Sequence, residues 1–248
     1  MLDAMEEPLY IFGKHPIEEA LARAPKTVQK IYIKEHIDAA LFARLKEESA
    51  KWKIPMVRTD DRKLDQLSEN GVHQGVVALV SPVAFVELKD WIATLDMSTN
   101  PACVILDELE DPHNVGAIIR TAAGLGASGV ILGKHNQSQI TGTVYKASAG
   151  TLNAVPLIRV ANINDAILKL KDAGFWIAGL AADAPQKIWE GDFATPLAFV
   201  IGAEGKGVRQ KTQEHCDFLF SIPMSNDVES LNASVSAALA LYEWRRGR

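Results

Sequence analysis

The chain has 248 residues, 48% of them apolar and 23% charged, enough for one large domain or two modest ones with a full core. Its formal net charge of −5 excludes a general basic field, so a polyanionic partner would have to be met by a local patch. Two cysteines, Cys103 and Cys216, are too few for a disulfide framework or a zinc cluster, and the six histidines show no ligand spacing, so no metal is expected.

The opening "MLDAMEEPLY" lacks a basic region followed by an apolar run, and no segment approaches a membrane span in length. The expectation is a cytoplasmic protein. Residues 9–80 alternate helix and strand signals. "HPIEEALARA" predicts a helix with Ile17, Ala20 and Leu21 on one face, and "VQKIYIKE" predicts a strand. "DAALFARLKEESAKW" predicts a second helix with Leu41, Leu45 and Trp52 on one face, followed by strands at "IPMVRTD" and "QGVVALVS". The domain boundaries expected are therefore 1–80 for a small α/β domain, 81–100 for a proline-bearing linker with a short helical piece at Trp91, and 101–248 for a second domain.

From Pro101 the texture changes. "ACVILDEL" is a continuous apolar run, as expected of a strand covered on both faces. "DPHNVGAIIRTAAGLGA" predicts a helix capped by Asp111 with Pro112 at its first position, which places Asn114 in the first turn. Arg120 falls among Ile118, Ile119, Ala122 and Ala123, where a guanidinium needs a partner: a structural carboxylate, a catalytic carboxylate or an RNA phosphate. Strands follow at "SGVILG", "FWIAGLAAD", "PLAFVIG" and "LFSIPM", with helices at "INDAILKLKDAG" and "SVSAALALYEWRR". This alternation predicts an α/β fold with a mostly parallel sheet, whose ligands sit at the carboxyl ends of the strands.

The stretch "LAFVIGAEGKGV" runs a strand into three glycines around Glu204. It is not a phosphate loop. Gly207 follows Lys206 where Ser or Thr would be required, and the order G-x-x-G-x-G fails the dinucleotide fingerprint. A carboxylate beside a phosphate would be repelled, so the loop suits a neutral or cationic ligand, or is a tight turn with a solvated Glu. In "SIPMSNDVESLNASV", Ser230 or a neighbour is placed to cap the final helix, and capping is also the plain reading of Asn232.

Asn-x-G-x-x-x-R-T-A after a buried strand, then G-A-E-G-x-G, then I-P-M followed by S-L-N-x-S-V, resembles the three motifs of the SpoU/TrmH class of SPOUT methyltransferases over residues 103–245. The front region, with "YIFGKHPIEEAL" and "GVHQGVVALV", is similar to the L30e-like substrate-binding domain of that class. Thr151, Asn153 and Glu229 depart from the usual pattern.

The resemblance implies helices on both faces of the sheet, a C-terminal trefoil knot and a homodimer. It implies methyl transfer from S-adenosyl-L-methionine to a ribose 2′-hydroxyl of RNA, 23S rRNA first, with tRNA or a non-catalytic ribosome-assembly role as alternatives. It also implies cofactor contacts, largely through backbone, at Leu180, Gly202, Ile222 and Leu231. The implied catalytic set is Asn114, Arg120, Glu204, Ser230 and Asn232. Arg120 would stabilise an alkoxide or grip a phosphate, Glu204 would orient Arg120 or Asn114, and Ser230 and Asn232 would position the ribose.

The first 80 residues hold 12 basic and 13 acidic groups, so RNA contacts would fall on clusters such as Lys134 with His135, or Arg245, Arg246 and Arg248.

Overall fold

The computed structural model describes residues 8–225 and 230–246; Glu229 and Arg248 lie outside them. The chain divides into two compact units. The first comprises residues up to Val83 together with Ile140–Asn153, and the second Ala84–Gln139 and Ala154 onward.

The first unit is a four-stranded sheet in the order β1-β4-β2-β3, formed by β1 (Leu9–Phe12), β2 (Val28–Lys34), β3 (Met56–Thr59) and β4 (Val76–Val80). β4 runs antiparallel to β1 and β2, while β2 and β3 are parallel. Helix α1 (Lys14–Arg23) buries Ile17, Ala20 and Leu21 as its periodicity requires. Helix α2 (Ala39–Lys51), capped by Asp38, buries Leu41 and Leu45, but its third inward residue is Ser49. Trp52 is the helix's C-cap, and leaving helical geometry there carries its ring into solvent, 46% exposed, contrary to the sequence expectation. The sequence reading passed over β1 and the short helix α3 (Asp61–Leu67), which is capped by Asp60.

The second unit holds an eight-stranded sheet in the order β10-β12-β9-β11-β6-β7-β8-β5. Every neighbouring pair in it is parallel. β5 (Phe85–Val86) forms one edge. α4 (Leu88–Ala93) sends Leu88 and Trp91 into a hydrophobic cluster of the core. The stretch read as a linker therefore contains a sheet edge and a core anchor from residue 85 onward.

At the centre lies β6 (Ala102–Asp107), buried at all six positions, followed by α5 (Pro112–Leu125) and β7 (Gly129–Gly133). Helix α6 (Gly142–Ala147) belongs to the first unit, where it contacts β1. The chain then adds β8 (Leu157–Val160), α7 (Ile163–Asp172), β9 (Trp176–Leu180), β10 (Gln186–Lys187) and β11 (Leu197–Gly202). It finishes with α8 (Gln210–Gln213), β12 (Phe218–Ser221) and α9 (Ala233–Arg246).

Alternation along the strands makes two buried layers. Cys103, Ile105, Ile131, Ala198, Val200 and Ile177 pack with Trp91 and with Ile167 and Leu170 of α7. Val104, Leu106, Val130, Phe199 and Ile201 point the other way and are equally buried, and α9 contacts β11 and β6 while α5 contacts β6 and β7. The sheet grows outward from β6 through β7 and β8, then resumes on the other side at β9 and β11. A reversal of this kind opens a crevice at the carboxyl ends of the central strands.

Two buried groups and one partly buried thiol tie stability to alkaline pH. Burial pushes the Cys103 thiol up. Burial first, then the charge of Asp217, takes the Cys216 thiol from 9.0 to about 12. Burial, then the charge of Glu19, takes the Tyr145 phenol from 10.0 to about 12. The unfolded chain ionises these groups before the folded chain does. Their contribution is thus full below pH 9.0 and lost as pH rises through about 12. Denaturant titrations stepped across that range should show falling stability, with a shallower fall for Cys216→Ala; an identical fall in that variant would remove Cys216 from the account.

Candidate active site

Gly202 ends β11, and the next residues turn back sharply. The Gly207 N–H donates to the Ala203 carbonyl at 2.8 Å, and Gly205 and Gly207 adopt positive φ of 75° and 66°. A Cβ on Gly202 would sit 2.0 Å from the Gly207 carbonyl carbon and 2.1 Å from the Val208 nitrogen, so the strand end admits only glycine.

This loop borders a cavity of about 340 Å³, in the size range of small-molecule sites. Leu180, Gly202, Ile222 and Leu231 line it, and so do Ser230 and Glu204. Asp183, Lys206 and Met224 also line it and were not singled out from the sequence. Two carboxylates with one lysine are poorly suited to a phosphate and well suited to a cationic or neutral guest. A larger cavity, about 600 Å³ and lined by Trp189, Phe193 and Trp244 among others, contains none of the expected catalytic or cofactor-binding residues; of the expected RNA contacts, Arg246 lines it.

Three predicted residues meet beside the smaller cavity. Asp111 caps α5, accepting from the His113 N–H at 2.9 Å, and this start places Asn114 in the first turn, 4% exposed. The Asn114 Nδ2 donates to Glu204 Oε1. Asn232 Nδ2 donates to Asn114 Oδ1 at 2.8 Å and to Glu204 Oε1 at 2.9 Å. The Asn232 Oδ1 simultaneously caps α9, accepting from the Ser234 N–H at 2.8 Å. Asn232, not Ser230, is the cap, and its two amide ends divide capping from the polar network.

Arg120 lies apart. It is exposed, does not line the cavity, and makes no hydrogen bond or ion pair among the described residues. Its apolar neighbours Ile118, Ile119 and Ala122 are buried, but at 100° per residue the helix turns Arg120 about 240° from Asn114 and out to water. The partner expected from its sequence surroundings is solvent within one chain, and Glu204 orients toward Asn114 rather than toward Arg120.

Sequence reasoning missed an ion pair beneath the loop, between a buried carboxylate and a half-exposed guanidinium. Asp107, the last residue of β6, is fully buried and bonded by Arg209. The signal available was an acid ending an apolar strand and an arginine two residues past the glycine turn. Among the described residues, no group of three or more His, Cys, Asp or Glu side chains could hold a metal ion, and no helix is long and apolar enough to cross a membrane.

The SpoU rRNA methylase family model matches residues 101–242, more than half of the chain. The chain belongs to the SpoU methylase family. A second model, for RNA 2′-O ribose methyltransferase substrate binding, matches residues 10–86. Among relatives of this SpoU protein, the 23S rRNA (guanosine-2′-O-)-methyltransferase RlmB of Pseudomonas putida is 38% identical over 96% of both chains. RlmB of Escherichia coli is 36% identical over 96% of this chain and 98% of its own. An uncharacterized tRNA/rRNA methyltransferase of Synechocystis is 40% identical over 96% of this chain, which spans 62% of that longer protein. The fold matches the SpoU methyltransferase AviRb from Streptomyces viridochromogenes, solved with the cofactor AdoMet, at a TM-score of 0.77 and 23% identity over 97% and 90% of the two chains. SpoU family membership makes the protein an RNA methyltransferase by class.

Proposed function

We propose that the protein transfers a methyl group from S-adenosyl-L-methionine to the 2′-hydroxyl of a guanosine ribose in 23S rRNA. The observation that carries this reading is the convergence of Asn114, Glu204 and Asn232, one from each motif, into a single hydrogen-bonded group whose Glu204 also lines the cavity. The RlmB relatives, similar over nearly their whole length, support the ribose and the rRNA.

The residues present fit the cofactor. Leu180, Ile222 and Leu231 supply apolar walls, the glycine loop supplies close backbone, and Glu204 and Asp183 suit a sulfonium. When bound, the cofactor supplies an already activated methyl group, so the protein's task is orientation and handling of the hydroxyl proton. Asn114 and Asn232 hold the Glu204 carboxylate in place, and Ser230 faces the same space for the ribose. Mapping ribose methylation across total RNA from cells with and without the gene tests the reading. One lost 2′-O-methylguanosine in 23S rRNA is expected, and an unchanged rRNA map would refute it.

The reading includes a C-terminal knot and a homodimer. Val235, Leu239 and Tyr242 form an exposed apolar row on α9, 45%, 37% and 53% exposed, and α9 packs on α5, the helix that presents Arg120 to solvent. In this reading two copies pair through this face, and Arg120, which lies outside its own chain's cavity, serves the partner's. There an always-protonated guanidinium can stabilise an alkoxide or hold a phosphate.

Arg120→Ala should bind cofactor normally and lose turnover. Mixing Arg120→Ala with Glu204→Gln separates the geometries: half the dimers would be mixed, each with one intact composite site, restoring about a quarter of wild-type activity. No recovery after verified subunit exchange would place Arg120 in its own protomer's site.

A further inference from the structure

The Asp107 carboxylate ends β6 opposite Gly202 in the sheet register, directly beneath the glycine loop. It is fully buried, and an uncompensated carboxylate there would be costly. Among the described residues, its hydrogen bonds come from the side chain and the backbone N–H of Arg209. The Arg209 backbone N–H reaches Oδ2 at 3.0 Å, while Nε and Nη2 reach Oδ1 at 2.9 and 2.5 Å.

The remaining arm of the guanidinium, Nη1, donates to Glu108 Oε1 at 2.8 Å, and Asn136 Nδ2 reaches the same oxygen at 3.2 Å. Glu108 sits at φ 61°, a left-handed conformation that a side chain adopts at a cost, so the surroundings must hold it there. One more bond ties this turn down: the Leu109 N–H donates to Gln137 Oε1 at 3.1 Å.

Arg209 thus closes two loops at once. It fixes the end of the Ala203–Val208 loop, which carries Glu204, to the end of β6. Through Glu108 it also fixes the turn leading to the Asp111 cap and Asn114. The Asn114–Glu204 hydrogen bond joins the far ends of these same loops.

We propose that Arg209 is a positioning residue: clamped on Asp107 and Glu108, it holds the glycine loop closed against the cavity and sets the spacing of Asn114 and Glu204 without touching the reacting groups. A lysine would keep the charge and lose the fork, so the clamp is specific to a guanidinium. For the cofactor, this inference rests on the function proposed above; for the loops, it does not.

The experiment uses Arg209→Lys and Glu108→Gln in the full chain. Amide hydrogen exchange is measured without ligand, and S-adenosylmethionine affinity by calorimetry. Both variants should exchange about tenfold faster at residues 203–208 and 108–114 while α7 and β8 keep wild-type protection, and cofactor Kd should rise about tenfold in Arg209→Lys. Wild-type loop exchange in the folded variants would overturn the clamp, as would a uniform rise across the whole unit, which marks general destabilisation. Should Arg209→Lys fail to fold, Glu108→Gln, altering a partly exposed side chain, carries the same comparison. A wild-type protein that binds no cofactor would refute the proposed function, and the exchange data would still decide the clamp.

Discussion

Asn232→Asp is expected to leave the protein folded and to lower methyl transfer about a hundredfold, because the two ends of this side chain do different work. The cap on α9 needs an acceptor, which Asp supplies as well as Asn does, and a negative charge at a helix N-terminus is favourable. The other end needs a donor. With the amide replaced by a carboxylate, an oxygen would face Asn114 Oδ1 and Glu204 Oε1, both acceptors, in place of bonds at 2.8 and 2.9 Å. Losing one hydrogen bond to a charged group amounts to about 1.5–3 kcal/mol, and like charge adds to it. Glu204 is exposed enough to swing away, so the damage falls on alignment rather than on folding.

Asn232→Ala is the control: it loses both ends and should cost about 1 kcal/mol of stability for the cap as well as the activity. Single-turnover rates set beside thermal midpoints make the comparison. Near-normal turnover in folded Asn232→Asp would show that the network is only a cap with neighbours.

Much of this site was readable along the chain because its signals are local. An Asp-Pro pair fixes where α5 begins, and that fixes Asn114. Six consecutive buried residues in β6 read as a strand covered on both faces. Glycines at 202, 205 and 207 mark one turn.

What was not readable depends on partners far away in sequence or on where an element stops. Trp52 leaves its helical face because α2 ends one residue earlier. Arg120 looks buried by its neighbours and is exposed by its angle on the helix. Gly142–Ala147 is too short for its periodicity to show, and it groups with strands more than a hundred residues earlier. Arg209 and Asp107 are 102 positions apart, and nothing local couples them.

The same contrast between local and distant causes separates two glycine substitutions in one loop. Gly202→Ala should abolish cofactor binding and cost about 3 kcal/mol, at the upper end for overpacking, since the added methyl meets backbone rather than a movable side chain. The contacts at 2.0 and 2.1 Å are with the Gly207 carbonyl carbon and the Val208 nitrogen, so relief requires shifting the turn itself. The turn cannot shift freely, because Val208 is buried in the core and Arg209 is bonded to Asp107. The strain therefore passes either into β11, a central strand, or into the loop that borders the cavity.

Gly207→Ala meets open space and pays only for a left-handed φ of 66°, about 1–2 kcal/mol. Its cofactor affinity should stay within a few-fold of wild type. Calorimetric binding and thermal unfolding of the two variants decide the matter. Equal losses in both would mean that loop flexibility, and not the closeness of the Gly202 backbone to the returning chain, governs the pocket.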